Sequence, residues 1–264
     1  MASVEKTKLL LFKVYFEKAF DCVNWNFLLD VMRQMGFGVK WRNWIALCLS
    51  SASISVMING SPSNEFKMER GLRQGDPLSP LLFLIVAKVL QINILEACNK
   101  GLYIGVSIAG CGANVSLLQY ADDALFFGEW SRRNALNLIH ILKCFELGSG
   151  LKVNISKSRI LGVGIPISEI EAVASLIRCA HETFPFSYLG LPVGKKMRLK
   201  EGWNAIIDRF RDRLSNWKAR SLSIGGRLTL VKSVLGSLLI YYLSLFKAPT
   251  SIINNLEAIR CRFF

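Results

Sequence analysis

Residues 119–127 read QYADDALFF, two adjacent carboxylates, Asp122 and Asp123, held between apolar flanks. Charges seldom sit among residues destined for burial unless something pairs with them. VSLLQY (115–120) and ALFFG (124–128) both have the character of strands, so the pair lies at the tip of a predicted β-hairpin. Neighbours along a straight strand face opposite ways, whereas a tight turn lets two carboxylates converge. Like charges that close raise each other's pKa unless a cation intervenes. Mg²⁺ suits such a pair, because one or two carboxylates plus substrate phosphates complete its shell. Taken alone, the tetrapeptide is explained equally well as a polar turn with no ligand.

Working outward, LLLFKVYF (9–16) is a short β-leaning run. Asp21 stands where an N-cap belongs, ahead of a helical pattern with Val23, Phe27, Leu28, Val31 and Met35 on one side and Gly36 at its end. A helix over 41–51 leads into SISVMI (53–58), an Asn59-Gly60 turn and a returning strand, EFKMERG (65–71). A long helix is predicted over 78–99, then YIGVSI (103–108), a Gly-rich turn, the carboxylate hairpin and a helix over 133–148. Interleaved helices and antiparallel strands favour an α+β layer over a Rossmann fold. Beyond about residue 195 the pattern is helical alone. Trp203, Ile206, Ile207, Phe210, Leu214 and Trp217 make one apolar stripe, with Arg209, Arg211, Arg213 and Lys218 mostly off it, and a second helix is expected over 226–239. The boundary is expected near Gly194, dividing the chain into 1–194 and 195–264.

Bulk composition narrows the function. Of 264 residues, 52% are hydrophobic, which excludes disorder. The formal net charge is +14. From Lys195 onward there are 14 Lys/Arg against 4 Asp/Glu, so that segment carries +10. Such a segment fits a polyanion, either nucleic acid or an acidic membrane surface, or is simply a solvated basic face. Seven cysteines occur without a C-x-x-C pair, and His140 and His181 are the only histidines, so a zinc site is not expected. LLLF is stopped at once by Lys13, unlike a signal peptide. PLLFLIVAKVLQINIL (80–95) is broken by Lys88, Gln91 and Asn93, and reads as a buried helix rather than a membrane span. The expected setting is intracellular, nucleus or cytoplasm.

Five stretches occur in a telling order: FEKAFDCVNW (16–25), RGLRQGDPLSPLLF (70–83), YADD (120–123), SGLKVNISKS (149–158) and YLGLPVG (188–194). With these the chain resembles the reverse transcriptase of LINE-type, non-LTR retrotransposons, especially the plant ones, from about Leu9 to its end. SLSIGGRLTLVKSVLGS (221–237) is part of the likeness. The resemblance implies a right-hand polymerase: a palm of antiparallel sheet and packed helices carrying the metal site, followed by an all-helical thumb. It implies template-directed nucleotidyl transfer with two Mg²⁺, or Mn²⁺ in their place and neither tightly bound, using an RNA template, a DNA primer and deoxynucleoside triphosphates, with no membrane. Asp122 and Asp123 match the catalytic metal ligands. Phe20 matches the bulky residue beneath the incoming sugar, and Gln74, Gly75 and Lys157 match nucleotide-binding positions. Arg70, Arg73, Tyr188 and Gly190 match template and primer contacts, and Arg209, Arg213 and Arg227 would track phosphates without reading sequence.

Two departures stand out. The family's third carboxylate lies five residues before the bulky Phe, and that position here is Tyr15. A phenol is neutral at pH 7 and a poor Mg²⁺ ligand. Glu17 shares the strand face but sits further along, and Asp21 is expected to cap a helix. Only 14 residues precede Tyr15, where the family has a sizeable fingers region, so the fingers are expected to be missing. The expectation is therefore a decayed polymerase with little or no activity. The alternatives are a palm–thumb remnant that only binds nucleic acid or has no selected role, and a basic α+β module serving a membrane or protein partner.

Overall fold

The alternation of Leu10, Phe12 and Val14, all buried, with half-exposed Lys13 and Tyr15 makes Leu9–Tyr15 a strand with one face in a core. A computed structural model of the protein describes residues 8–107, 114–215, 220–234 and 240–264. Ile108 and the Gly-rich turn over 109–113, Trp217, Lys218 and residues 235–239 of the expected second basic helix lie outside the described residues.

The chain divides into two compact units, one up to Thr183 and one from Phe184 to Phe264. The turn at Tyr188–Gly194, expected to close the sheet-bearing domain, therefore groups with the helical unit. In the first unit Leu9–Tyr15 is the middle strand of a five-stranded sheet. It pairs antiparallel with Asp123–Glu129 on one side and Arg159–Val163 on the other, and Leu117–Tyr120 and Ala180–His181 form the edges. Only the Arg159–Val163 pairing with Ala180–His181 is parallel. The residues Leu10, Phe12, Val14, Ala124, Phe126 and Ile160 of one face join the core supplied by helices Trp25–Gln34, Ser79–Asn99, Arg132–Ser149 and Ile167–Ile177. The α+β reading holds as a mixed sheet-and-helix architecture. Helix Ser79–Asn99 is long and apolar enough to cross a membrane, yet one face, including Phe83, Val86, Leu90 and Ile94, lies in this core.

Local details correct the sequence reading in two places. Asp21 does not cap the helix that follows it: it lies inside a short helix, Ala19–Cys22. The cap is Asn24, whose Oδ1 accepts from the backbone N–H groups of Asn26 (2.9 Å) and Phe27 (3.2 Å). The hairpin after helix Val39–Ser50 is also broken. Ser53–Ile54 pairs with Phe66–Lys67 and Met57–Ile58 with Ser61–Pro62, so the returning strand begins before Glu65. Its tip is as expected, Asn59 and Gly60 both having positive φ.

The second unit opens with a hairpin, Phe186–Tyr188 and Leu191–Val193, and continues through helices Asn204–Arg213, Ile224–Val234, Ile240–Leu245 and Thr250–Phe263. The expected stripe of Trp203, Ile206, Ile207, Phe210 and Leu214 is buried in a separate core, closed by Ile252, Leu256 and Phe263.

Candidate active site and nucleic-acid contacts

The carboxylate hairpin forms as the sequence indicates. Tyr120 pairs with Asp123, leaving Ala121 and Asp122 as a two-residue loop. Ala121 has φ 50, a left-handed conformation unusual for a residue with a Cβ, and the Gln119 side-chain amide donates to its carbonyl at 3.2 Å. Strain of this kind persists only where the surrounding structure enforces it. Asp122 is exposed at the tip, and Asp123, the first strand residue, is half-buried.

Register decides what faces the pair. Tyr15 is the direct cross-strand partner of Asp123, so the two side chains share a sheet face. Lys13, two residues before Tyr15, is on that face too, and its cross-strand partner Arg159 adds a second cation. The Lys13 Nζ lies 5.1 Å from the centroid of the Tyr15 ring. Burial pushes the Asp123 carboxyl above its ordinary range; neighbouring Asp122 pushes it the same way, and the Lys13 ammonium opposes both. Among the described residues, no group of three or more His, Cys, Asp or Glu could hold a metal ion. If an Mg²⁺ ion completed by substrate phosphates binds here, Asp122 and Asp123 would be the residues to hold it; a phenol such as that of Tyr15 is a poor Mg²⁺ ligand.

The VNISKS turn (153–158) is bound to the same strand end. Asn154 N–H donates to the Tyr15 carbonyl at 2.7 Å, and Tyr15 N–H makes a long bond of 3.4 Å to Ser158 Oγ. This fixes Lys157, which is exposed, beside the end of the first strand. Glu17 Oε2 is 3.3 Å from Lys152 Nζ, an ion pair that occupies the nearest acid along the strand.

Phe20 is half-buried and stacks on fully buried Phe83, centroids 4.8 Å apart and planes 17° from parallel. Its carbonyl accepts the Leu72 N–H at 2.6 Å, while Gly71 N–H donates to Val23 and Trp25 Nε1–H donates to the Gly71 carbonyl. These bonds clamp the RGLRQGD loop to the segment after the first strand. Gln74 Nε2 donates to Asp21 Oδ1 at 3.3 Å, which is the role Asp21 has in place of a cap. Arg70, Arg73, Gln74 and Gly75 are all exposed. Arg73 and Gln74 line a cleft of about 780 Å³ shared with Asp21, Trp25 and helix Val39–Ser50.

In the second unit, Leu189 and Gly190 both have positive φ and join Tyr188 to Leu191, a tight hairpin turn. Their carbonyls accept hydroxyls of Tyr241 (3.0 Å) and Tyr242 (2.5 Å). Gly190 lines a cleft of about 220 Å³ with Lys195 and Arg209. Arg213 is exposed elsewhere on the same helix. Arg227 is engaged within the protein, donating to the carbonyl oxygens of Leu222 (3.2 Å) and Phe264 (3.3 Å).

Sequence reasoning did not assign Lys13, Arg159, Trp25 or Lys195 to a site. Strand alternation alone marks Lys13 as sharing a face with Tyr15; the others depend on pairings distant in the chain.

The profile of the family described as reverse transcriptase (RNA-dependent DNA polymerase) matches residues 2–193. The chain is 28% identical over 185 residues to a Retrovirus-related Pol polyprotein from type-1 retrotransposable element R2 of Popillia japonica, covering 69% of this chain and 24% of that protein. It is 25% identical over 241 residues to the Transposon TX1 uncharacterized 149 kDa protein of Xenopus laevis, covering 89% of this chain and 18% of that one. The chain thus spans about a quarter or less of these relatives' length. Telomerase from Candida tropicalis, solved in complex with a TWJ fragment of telomeric RNA, superposes with a TM-score of 0.53 at 13% identity, covering 92% of this chain and 40% of that one, a likeness of fold. With the match extending over most of its length, the chain belongs to the reverse transcriptase (RNA-dependent DNA polymerase) family.

Proposed function

We propose that this chain is the palm and thumb of an RNA-directed DNA polymerase from a plant LINE-type, non-LTR retrotransposon, acting within the cell, and that Tyr15 impairs its nucleotidyl transfer. One observation carries the reading: the strand register sets Tyr15 directly opposite Asp123, beside the adjoining Asp122. That is where a third carboxylate would close the cluster.

Asp122 and Asp123 would hold Mg²⁺ or Mn²⁺ arriving with a deoxynucleoside triphosphate. When bound, such an ion neutralises phosphate charge and acidifies the primer 3′-hydroxyl. The remaining work falls to the protein. Phe20 would exclude a 2′-hydroxyl by bulk, and a steric filter needs a ring that cannot retreat; Phe83 stacked beneath it supplies that support. Gln74 both donates and accepts, which suits a nucleotide edge, and Gly75 leaves its loop backbone open to approach. Lys157 would meet the triphosphate. Arg70 and Arg73 would contact the template, and Tyr188 and Gly190 the primer backbone. Arg209 and Arg213 would grip the RNA–DNA duplex through its phosphates.

With Tyr15 a neutral ring stands in the cluster and the Lys13 ammonium lies beside it. This favours a second, related reading, a remnant that retains nucleic-acid binding without synthesis. Primer extension on an RNA template separates the two. The unaltered chain is expected to give no measurable product and Tyr15→Asp to restore synthesis. Robust extension by the unaltered chain overturns the assignment of impairment, since each tenfold in rate corresponds to about 1.36 kcal/mol of barrier.

A further inference from the structure

Helix Val39–Ser50 carries two indoles that its own core does not take up. Trp41 and Trp44 are 42% and 50% exposed, with ring centroids 5.9 Å apart and planes at 69°. The Lys40 Nζ lies 5.3 Å from the centroid of the Trp44 ring. The helix, VKWRNWIALCLS, contains two cations and no acid. One of them, Arg42, directs its Nε–H to the Phe37 carbonyl at 3.1 Å, leaving Lys40 as the cation associated with the rings.

Residues four apart on a helix stand one above the other. Ile45 therefore follows Trp41, and Cys48 follows Trp44, on one face. Both Ile45 and Cys48 line the cleft of about 780 Å³ whose other wall includes Arg73 and Gln74. The rings therefore lie one helical turn before the cleft, with Lys40 beside Trp44 and a second cation, Arg73, on the cleft's other wall. Unpaired bases present flat π-faces, and their phosphates present negative charge. Aromatic rings interleaved with cations meet both demands without reading sequence.

We propose that Trp41, Trp44 and Lys40 form a stacking platform for single-stranded nucleic acid, which runs from the platform into the Arg73–Gln74 cleft. The strand's role as template rests on the polymerase reading; the platform itself needs neither the carboxylates nor catalysis.

The test is fluorescence anisotropy on the full chain with a fluorescein-labelled oligouridine and, separately, an RNA–DNA duplex. Trp41→Ala combined with Trp44→Ala is expected to weaken oligouridine binding about tenfold or more while leaving duplex affinity unchanged. The Trp41→Phe, Trp44→Phe pair, which keeps rings at both positions, is expected to retain most of the affinity. Lys40→Ala is expected to lower the salt dependence by about one charge. Unchanged oligouridine affinity in the double alanine variant overturns the proposal. So does a change in self-association by sedimentation without a change in affinity, which would make the face a protein contact. If the unaltered chain binds duplex but not oligouridine, the platform falls and the polymerase reading stands; if it binds neither, both fall.

Discussion

At Asp123 three electrostatic influences meet: partial burial and the neighbouring Asp122 both favour the protonated carboxyl, and Lys13 opposes them. The balance leaves its pKa raised in the folded state. The folded protein then holds more protons than the unfolded chain between the ordinary aspartate pKa and the raised one, so stability falls as pH rises through that window. Asp123→Asn is therefore expected to be the more stable protein at pH 7, with the difference vanishing below the ordinary aspartate range. Solvent screens a carboxyl this exposed, so the gain is small, about 1–3 °C in the melting midpoint. Thermal melts at neutral and acidic pH check this. Adding Mg²⁺ is expected to raise the midpoint of the parent and not of the variant, because an ion that binds only the folded form stabilises it by mass action. A parent no less stable than Asp123→Asn at pH 7 would mean that Lys13 already relieves the repulsion.

The RGLRQGD loop shows what an element requires of its glycines. Gly71 has φ +88, and a Cβ there would lie 2.6 Å from the Asp21 carbonyl oxygen, within the loop's clamp to Val23 and Trp25. Gly75 has φ +85 with open space around it. Gly71→Ala should thus lose about 2 kcal/mol or more, from left-handed strain plus a backbone clash, and Gly75→Ala about 1 kcal/mol, from strain alone. Urea midpoints measure both, and equal losses would refute the clash. Much at this scale was legible in the residues. Leu10, Phe12 and Val14 betray the middle strand, and the interrupted hydrophobicity of 79–99 a core helix. The Tyr-Ala-Asp-Asp tip is readable because its turn chemistry is local. Asn24 displaced Asp21 as the cap because either side chain could reach a nearby helix start, and the short Ala19–Cys22 helix decides between them. The strand Arg159–Val163, a direct neighbour of the middle strand, and helix Ile167–Ile177 went unread. RILGV is a five-residue run whose partner lies far back in the chain, so its pairing leaves no local pattern. The order of motifs indicated the carboxylates and strand alternation puts Lys13 beside Tyr15, but only the sheet register reveals that Tyr15 faces Asp123 and that Arg159 joins that face.

Across the whole molecule the positive charge is concentrated from Lys195 onward, in the unit with its own core of Trp203, Ile206 and Phe210. Exposure separates the arginines there into two kinds. Arg209 and Arg213 are exposed on helix Asn204–Arg213, which buries Ile206, Ile207 and Phe210. Arg227 instead joins Leu222 to Phe264 through main-chain oxygens. A phosphate contact releases counterions, so removing one lowers the slope of log affinity against log salt by about one. Arg209→Ala and Arg213→Ala should each do this for an RNA–DNA duplex while scarcely moving the melting point. Arg227→Ala should leave the slope unchanged and cost about 1 kcal/mol of stability, because its hydrogen bonds to the half-buried Leu222 carbonyl and to the exposed Phe264 oxygen are lost. Duplex binding over a range of KCl concentrations, set beside thermal melts of the same variants, distinguishes the two kinds. If all three substitutions lower the slope alike, Arg227 leaves its carbonyls to bind phosphate. If none does, the basic helix is a solvated surface and the duplex is held elsewhere.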